Sequence, residues 1–405
     1  MKIRLGVIFG GESVEHEVSI ISAMQAMNKM DSEKYEIIPI YITKDRQWYT
    51  GEMLKEIETY SDLSLIKRYA KNVVLYESNG KFVLQNKKGL RRIVKEIDMV
   101  FPIVHGTNVE DGVLQGYLES IGIPFVGGDV YASAVGQDKI FMKEIFKENN
   151  LPVCDYVWFY DNEYDDDNEK VLARVEKITY PVIVKPATLG SSIGIKTAHN
   201  KEELKAAIEE AIKYDHKIIV EKLVENLMEV NISVLGNYSN QQLSAIEQVI
   251  PTKDFLTYED KYLGNSKTKG KIGGKFRTSK GMVSANRIIP ASLPKEMKEE
   301  VEKVAVEAFK ALGSSGVVRI DFLVDEKEKK IYINEVNNIP GSLSFYLWEP
   351  TGKEYTELLD DMINIGIRDY KMRVAKIHSF DTNILKGFAE HGGLKGMKGS
   401  KGKLR

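Results

Sequence analysis

The chain has 405 residues, a length that predicts two or three domains. Its apolar content of 43% and its charged content of 29% are typical of a globular protein with a core large enough to fold unaided. Lys and Arg number 57 against 59 Asp and Glu, so the net charge of −2 excludes a general electrostatic attraction to nucleic acid or to a membrane.

Short apolar runs and a low cysteine content indicate the compartment. The first apolar run, LGVIF, is too short for a signal sequence, and no run reaches the roughly 18 residues of a membrane span. A single cysteine, Cys154, excludes internal disulfides and is typical of a reducing environment. We therefore predict a cytoplasmic protein.

Residues 1–128 are predicted to alternate strands with helices. The predicted strands are residues 3–9, YEIIPIYIT, IDMVFPIVHG and the short IPFVGG, and the predicted helices are HEVSIISAMQAMNKM and GVLQGYLESIG. This alternation predicts an α/β fold with a parallel, doubly wound sheet. Such sheets bind ligands at the carboxyl ends of their strands, where two acidic loops, GGESVEHE and HGTNVEDG, fall in this sequence.

Residues 129–225 are predicted to form a smaller domain. It begins with a helix that carries basic residues, SAVGQDKIFMKEIFKENN. The next segment, YPVIVKPATLGSSIGIKTAH, has the pattern of a strand, a glycine-rich loop and a second strand. The strand KIIVEKLVE closes the domain.

Residues 226–375 are predicted to consist mainly of strands, with one long helix, LPKEMKEEVEKVAVEAFKALG. Within them, residues 251–287 are polar and glycine-bearing and have little apolar periodicity. Loops of that length are usually functional or disordered. The glycine- and lysine-rich residues 376–405 predict a flexible basic tail, with binding of nucleic acid or phosphate as the alternative role.

The segment VVRIDFLVDEKEKKIYINEVNNIPG carries the strongest candidate for chemistry. Its alternation predicts a β-hairpin whose turn places Asp321 opposite Glu335, with Arg319 and Asn337 on the same face. Two carboxylates and an amide oxygen, without His or Cys, are hard oxygen ligands that suit Mg²⁺ held jointly with nucleotide phosphates. The alternative is the solvated polar face of an edge hairpin.

Two further segments favour a nucleotide. Lys185 ends an apolar strand before ATLGSSIG, whose glycines and serines offer N–H groups and hydroxyls to phosphate oxygens. An ordinary hairpin loop is the alternative, because no Gly-Lys-Ser/Thr ending follows. In IIVEKLVENLMEV, Glu221 can meet the edge of adenine and Glu229 a ribose, although on composition a glutamate in such a segment is more often a solvated charge.

In this order the segments resemble the ATP-grasp enzymes, and more closely the D-alanine–D-alanine ligase family, over roughly residues 3–370. The motifs that carry the resemblance are GGESVEHEVS, HGTNVEDGVLQG, ASAVGQDK, VKPATLGSSIGI, YEDKYL, GVVRIDFL and NEVNNIPG. The resemblance implies the ATP-grasp fold, with a Rossmann-like N-terminal domain, a central domain, and a C-terminal domain that clasps ATP against it. It also implies ligation of two D-alanine molecules through an acyl phosphate, for peptidoglycan precursors. A different second substrate, such as D-serine or another amino acid, is the alternative.

The resemblance assigns roles to individual residues. The implied ATP-binding residues are Lys139, Lys185, Ser192, Glu221, Glu229 and Lys261. Asp321, Glu335 and Asn337 would hold two Mg²⁺ ions, with Mn²⁺ as an alternative metal. The implied catalytic residues are Glu15, Ser191, Tyr262, Arg319 and the backbone N–H of Gly341.

Within that catalytic set, Glu15 would bind the ammonium group of the first amino acid. Together with Ser191 and Tyr262 it would lock residues 251–287 as a mobile lid over the site. His105 and Glu110 would support the substrate loop, and a satisfied loop histidine is the alternative interpretation of His105.

Three features depart from the family pattern. Val109 stands where glycine usually precedes Glu-Asp-Gly, and the segment between Glu221 and Glu229 is one residue longer than the common form. Tyr346 stands where the family commonly has a serine that helps to bind the carboxylate of the second substrate. The identity of the second substrate therefore stays open from the sequence.

Other classes of protein fit the sequence less well. A non-catalytic relative is expected to lack Asp321, Glu335 or Arg319, and all three are present. A nicotinamide-dependent oxidoreductase requires G-x-G-x-x-G after the first strand, and that pattern is missing. The expected partners are ATP, D-amino acids and a second copy of the chain in a homodimer, with neither nucleic acid nor membrane.

Overall fold

The computed structural model describes residues 2–190, 192–250 and 286–380. The chain divides into two compact units, residues 1–367 and 368–405. The described part of the second unit contains the C-terminal end of a helix that ends at Val374. Most of the predicted tail therefore lies outside the described residues, and the domain boundaries at residues 128, 225 and 375 stay predictions.

The N-terminal sheet combines parallel and antiparallel strands. Strand β1 (Ile3–Gly10) pairs in parallel with β2 (Tyr35–Ile42) on one side and with β7 (Met99–Pro102) on the other. Helix α1 (His16–Lys29) connects β1 to β2. Four antiparallel strands extend the sheet beyond β2, and they are β3 (Trp48–Thr50), β4 (Lys71–Ser78), β5 (Lys81–Asn86) and β6 (Ile93–Ile97). Helix α2 (Leu63–Tyr69) lies between β3 and β4 in the sequence.

The sequence analysis predicted the parallel strands and missed the antiparallel ones. Strands β4 to β6 mix buried residues with exposed or half-buried ones and lack the continuous apolar run of a fully buried strand. The predicted strand IPFVGG is wrong, because residues 123–128 pair only through one bridge between Val100 and Phe125. Helix α3 (Val113–Ile121) precedes this segment as predicted.

The predicted basic helix is two helices, α4 (Val130–Gln137) and α5 (Lys139–Glu148). The break falls at Asp138, whose side chain accepts hydrogen bonds from the backbone N–H groups of Ile140 and Phe141 at 2.9 and 3.1 Å. An aspartate in this position caps the following helix instead of continuing the preceding one. The break brings Lys139 to the first turn of α5.

The central sheet is antiparallel and carries the glycine-rich loop. Its strands, in the spatial order β10, β9, β11, β8, are β8 (Tyr156–Tyr160), β9 (Val182–Pro186), β10 (Lys196–Ala198) and β11 (Lys217–Lys222). Helices α6 (Asp161–Asp166), α7 (Asn168–Val175) and α8 (Lys201–Ala211) accompany it. A separate apolar core, which includes Leu172, Val184 and Ile208, holds α7 and α8 against the sheet.

The C-terminal sheet has the spatial order β15, β14, β12, β16, β17, with β13 paired to β12. Its strands are β12 (Leu227–Gly236), β13 (Gln241–Leu243), β14 (Glu247–Ile250), β15 (Asn286–Ile288), β16 (Gly316–Asp325) and β17 (Lys330–Asn337). Helices α9 (Lys295–Ala311) and α10 (Tyr355–Val374) follow β15 and β17 in the sequence. In the described part of the chain, no helix is long and apolar enough to cross a membrane.

The predicted hairpin register is confirmed, because Asp321 lies opposite Glu335 and Arg319 opposite Asn337. A bulge after Asp321 shifts the register by one residue and leaves Asn334 as the extra residue of β17. The predicted lid ends too late, since residues 286 and 287 belong to β15, where Arg287 pairs with Val249. Residues 251–285 lie outside the described residues.

One face of the C-terminal sheet is apolar and the other is polar. Val230, Ile320 and Phe322 are buried in a core with Val301 and Phe309 of α9. With the period of two in a strand, the residues between them point to the opposite face. That face is available to line a cavity.

Candidate active site

A cavity of about 410 Å³ is lined by the acidic loops, the central sheet and the polar face of the C-terminal sheet. The predicted site residues in its wall are Glu15, Glu110, Lys139, Lys185, Ser192, Glu229, Arg319, Asp321, Glu335 and Asn337. His105, Glu221 and Gly341 are described but lie outside that wall. Ser191, Lys261 and Tyr262 are not among the described residues.

A polar row crosses the C-terminal sheet. Directly paired residues of β14, β12, β16 and β17 form it, in the order Glu247, Asn231, Asp321 and Glu335. Partners that lie directly opposite one another present their side chains to the same face. Three carboxylates therefore share one side of the sheet and repel one another unless cations lie nearby.

A different cation accompanies each carboxylate of the polar row. Arg319 binds Asp321 through two hydrogen bonds of 2.7 Å, from Nε to Oδ1 and from a terminal nitrogen to Oδ2. Lys139 Nζ lies 3.9 Å from Glu335 Oε2, and Arg287 Nε lies 3.0 Å from Glu247 Oε1. Burial lowers the pKa of Arg319 but Asp321 raises it more, so its pKa lies well above the ordinary value.

The predicted metal ligands supply oxygen atoms only. Asp321 and Glu335 are cross-strand partners, and Asn337 donates to Asp321 Oδ2 at 3.2 Å. Among residues 2–190, 192–250 and 286–380, no group of three or more His, Cys, Asp or Glu side chains is placed to hold a metal. Two carboxylates and one amide do fit Mg²⁺, which takes few protein ligands and completes its shell with water and substrate phosphates.

Two buried lysines lie at the Glu335 end of the row. Lys139 Nζ donates to the carbonyl oxygen of Leu189 at 2.6 Å, and burial lowers its pKa. Lys185 Nζ donates to Asn334 Oδ1 at 2.9 Å, through the extra residue of the bulge in β17. Lys139 therefore contacts the glycine-rich loop that follows β9, and Lys185 contacts β17.

Glu221 serves as the counter-ion of these lysines in the structure. Its Oε2 lies 3.2 Å from Lys185 Nζ and 3.4 Å from Nζ of a further lysine, Lys143. Burial raises the pKa of Glu221, but the two lysines outweigh it and the pKa is lowered. The following residues, Lys222, Leu223 and Val224, line the cavity in its place. The sequence analysis missed Lys143, although its spacing of four from Lys139 on an amphipathic helix puts both on one face.

The first acidic loop brings Glu15 between two glycine-containing loops. A Cβ atom on Gly106 would lie 3.2 Å from Glu15 Oε2, and one on Gly190 would lie 3.7 Å from it. Gly106 also has φ +81°, where other residues are strained. Glu15 directly precedes helix α1, and an anion is favoured at the N-terminus of a helix of 14 residues. The predicted partner Ser191 follows Gly190 in the sequence.

Both ring nitrogens of His105 are hydrogen-bonded. Its Nδ1 lies 2.7 Å from the carbonyl oxygen of Ile339, and its Nε2 lies 2.9 Å from Ser22 Oγ. The Ile339 carbonyl is only an acceptor, so Nδ1 carries the proton and Nε2 accepts from the Ser22 hydroxyl. Ser22 Oγ in turn accepts the N–H of Ser342 at 2.9 Å. Nothing in the local sequence marked Ser22, because its contacts come from residues distant in the chain.

Glu110 holds the same loop from the other side. Its Oε1 accepts the N–H of Ile339 at 2.9 Å and its Oε2 accepts the N–H of Gly106 at 2.8 Å. Burial, assisted by the nearby charge of Glu15, raises the pKa of Glu110 to about 8. Glu110 and His105 thus fix the backbone just before Gly341. Their support of the substrate loop stays a prediction.

A left-handed turn follows Gly341. Ser342, Leu343 and Ser344 have φ values of 53°, 53° and 50° within the 3₁₀ segment Gly341–Leu347. Each non-glycine residue in this conformation costs roughly 1–2 kcal/mol. Leu343 is fully buried, and the hydrogen bond from Ser342 to Ser22 helps to offset that cost.

Tyr346, near the end of this segment, lies in the cavity wall. Its hydroxyl donates to Glu247 Oε2 at 3.1 Å, and the Arg287 guanidinium lies 4.8 Å from the centre of its ring. Burial, and then the charge of Glu247, raises the pKa of Tyr346 to about 12, which keeps the hydroxyl a donor. The sequence analysis noted Tyr346 as a departure and did not predict its partners, Glu247 and Arg287.

Comparison with known proteins identifies this architecture. The profile for the D-ala D-ala ligase N-terminus matches residues 4–128, and that for the D-ala D-ala ligase C-terminus matches residues 145–364. The chain belongs to the D-alanine–D-alanine ligase family. This family consists of ATP-dependent ligases that also use a divalent metal, so the ATP-grasp fold and the enzyme class predicted from the sequence are confirmed.

Curated relatives extend over nearly the whole chain. The D-alanine–D-alanine ligase of Thermosipho melanesiensis is 40% identical over 387 residues, which are 95% of this chain and 98% of the relative. The D-alanine–D-alanine ligase of Acetivibrio thermocellus is 41% identical over 386 residues, or 91% of this chain and 97% of the relative.

Solved structures of the family are similar as well. The VanG D-Ala:D-Ser ligase from Enterococcus faecalis has a TM-score of 0.74 at 30% identity and covers 90% of this chain and 100% of its own. The D-alanine–D-alanine ligase from Coxiella burnetii has a TM-score of 0.74 at 28% identity, and the match covers 92% of this chain and 98% of that ligase.

Proposed function

We propose that this protein joins two D-alanine molecules into D-alanyl-D-alanine with ATP, for the synthesis of peptidoglycan precursors. The observation that carries the proposal is the polar row, with two buried lysines at one end and Arg319 paired to Asp321 in the middle. The relatives of about 40% identity that bear the name D-alanine–D-alanine ligase support this substrate over D-serine.

ATP would bind between the central and the C-terminal sheets. Lys139, Lys185 and Ser192 would bind its phosphates, and Glu229 its ribose. Backbone groups that follow Glu221 would bind the adenine edge, since the Glu221 carboxylate is buried beneath Lys185 and Lys143. Lys261, outside the described residues, would bind the transferred phosphoryl group.

A pair of Mg²⁺ ions, or of Mn²⁺ ions in their place, would be held by Asp321, Glu335 and Asn337 and would neutralise phosphate charge during the transfer. Glu15 would bind the ammonium group of the first D-alanine. Glu15 is also the member of the proposed trio with Ser191 and Tyr262 that lies within the described residues.

Activation is required because a free carboxylate is a poor electrophile. An oxygen of the first D-alanine carboxylate would attack the γ-phosphorus of ATP, and the bond to the bridging oxygen would break to release ADP. The deprotonated amine of the second D-alanine would then attack the acyl phosphate. Arg319 and the backbone N–H of Gly341 would stabilise the oxyanion. The C–N bond would form as the C–O bond to phosphate breaks, and the proton lost by the amine would leave with the phosphate.

The test is phosphate release from ATP and Mg²⁺ by the purified protein, with the product identified by mass spectrometry. D-Alanine is supplied alone and then together with D-serine, D-lactate or L-alanine. Turnover on D-alanine alone with formation of the dipeptide is the expected result. Turnover only when D-serine or another acceptor is added would contradict the proposed second substrate. The hydrogen bond of Tyr346 to Glu247 is the feature that makes the acceptor worth varying.

The proposed domains are residues 1–128, 129–225 and 226–375, with residues 251–285 as the lid and residues 376–405 as a basic tail. The enzyme acts as a homodimer, by analogy with its family. It acts in the cytoplasm, where ATP and reduced Cys154 are expected.

A further inference from the structure

Tyr346, Glu247 and Arg287 form a connected group in the cavity wall, which we call the acceptor cluster. Glu247 is buried. Its Oε2 accepts a hydrogen bond from the Tyr346 hydroxyl at 3.1 Å, and its Oε1 forms an ion pair with Arg287 Nε at 3.0 Å. The Arg287 guanidinium lies 4.8 Å from the centre of the Tyr346 ring, in cation–π contact. Each member therefore fixes the other two.

The contacts within the cluster determine which hydrogen-bond donors remain for a ligand. Its hydroxyl donates its single proton to a buried carboxylate, so it is not available to donate to a substrate in the way a small serine would. Arg287 makes its ion pair at Nε, whereas a guanidinium carries five N–H donors in a rigid fork. Its terminal nitrogens are the donors that the cluster presents.

We propose that Arg287 binds the carboxylate of the second amino acid, and that Glu247 and Tyr346 are positioning residues that hold its guanidinium. The inference rests on the proposed function, because it names the acceptor subsite of the same reaction. A planar guanidinium binds a carboxylate through two parallel hydrogen bonds. In this chain Arg287 would therefore replace the serine hydroxyl that the family commonly uses at the position of Tyr346.

The arrangement along the sheet favours a carboxylate over a nucleotide phosphate. Lys139 and Lys185, the proposed phosphate ligands, lie at the Glu335 end of the polar row. Three inter-strand steps of about 4.8 Å, or roughly 14 Å, separate β17 from β14, which carries Glu247. Arg319, the proposed oxyanion donor, lies on β16 between these ends. A second amino acid beyond the reacting carbonyl would thus have its carboxylate near Arg287.

Charge balance at the cluster is consistent with an anionic ligand. Glu247 alone would repel a carboxylate, but its Oε1 is paired with Arg287 and its Oε2 with the Tyr346 hydroxyl. Asn231 also lies 3.4 Å from Oε2. A carboxylate that enters the subsite therefore meets a neutralised glutamate and the outer face of a guanidinium.

The experiment compares D-alanine with D-alaninamide as the acceptor, because the amide keeps the attacking amine and lacks the carboxylate. The quantity measured is the kcat/KM for D-alanine as acceptor divided by the kcat/KM for D-alaninamide as acceptor, with the first D-alanine held at saturation. In Arg287→Met this ratio is expected to fall by about 10- to 100-fold, the loss typical of a hydrogen bond to a charged group. In the matched control Arg174→Met, in which an exposed pair with Glu163 is removed, the ratio stays unchanged.

Two further variants keep the test decisive if Arg287→Met folds poorly. Arg287→Lys keeps the positive charge but lacks the forked guanidinium, so the ratio is expected to fall less than in Arg287→Met. In Tyr346→Phe the fall is expected to be smaller still. The KM values for ATP and for the first D-alanine should not change. An unchanged ratio in both Arg287 variants, or a rise in the KM for ATP instead, would overturn the inference. Absence of D-alanine ligation in the parent protein would reject the proposed function itself.

Discussion

Asp321 shows how single residues set the chemistry of the polar row. Its two oxygens accept hydrogen bonds from Arg319 and Asn337, yet a carboxylate has about four lone-pair positions. Room therefore remains on Asp321 for a metal ion. Arg319 likewise keeps a terminal nitrogen outside its two bonds to Asp321, so one residue can position the carboxylate and also meet an oxyanion.

The charge of Glu335 is expected to be essential for ligation. In Glu335→Gln the amide keeps the size of the side chain but removes one anionic oxygen that is proposed to hold the metal. Phosphate release with D-alanine should fall by at least about 10²-fold, as when one group that stabilises transition-state charge is lost. The exposed Glu328, in the turn of the same hairpin, supplies the matched control Glu328→Gln. Near-normal turnover in Glu335→Gln would remove the proposed metal site.

The raised pKa of Glu110 predicts that the stability of the fold depends on pH. Because burial raises its pKa from 4.5 to about 8, the folded protein holds a proton between these pH values that the unfolded chain releases. This contribution to stability is fully present below pH 4.5, is lost as the pH rises, and is absent above pH 8. Its slope is at most about 1.4 kcal/mol per pH unit.

Glu110→Gln should remove that contribution. In urea unfolding, the variant is expected to gain stability relative to the parent protein as the pH rises from 5 to 8. A constant difference between the two proteins over this range would show that Glu110 is already ionised in the fold.

At the scale of elements, the loop that contains Gly341 depends on three residues from two other elements. Helix α1 supplies Ser22, and the second acidic loop supplies His105 and Glu110. Together they bind the backbone of Ile339 and Ser342 and hold the strained turn that follows Gly341. An oxyanion donor must be fixed before the reaction, since its reorganisation would add to the barrier.

Ser22→Ala tests this support. The change leaves the N–H of Ser342 and the Nε2 of His105 without their partner, which typically costs about 1–3 kcal/mol of stability. We expect kcat to fall about tenfold, the factor for 1.4 kcal/mol, with the KM for ATP unchanged. Ser120→Ala, at an exposed helix end, is the control. A loss of stability with normal kcat would assign Ser22 a structural role only.

At the scale of the whole molecule, the sequence predicted what depends on local periodicity. The hairpin register followed from alternation, and it brought Asp321 and Glu335 together correctly. Contacts between distant segments were not predictable in this way. Lys143 reaches Glu221, and Tyr346 reaches Glu247, only because separate elements meet around the cavity. The antiparallel strands β4 to β6 were missed because their solvated faces weaken the apolar pattern.

In the proposed reaction, a carboxylate is activated by phosphorylation and then joined to an amine. The most direct test is to supply D-alanine labelled with ¹⁸O in its carboxyl group and to measure the label in the products by mass spectrometry. Attack on the γ-phosphorus transfers one labelled oxygen to inorganic phosphate for each dipeptide formed, with ADP as the other product. Label that appears in AMP, or phosphate that stays unlabelled while dipeptide forms, would contradict the account.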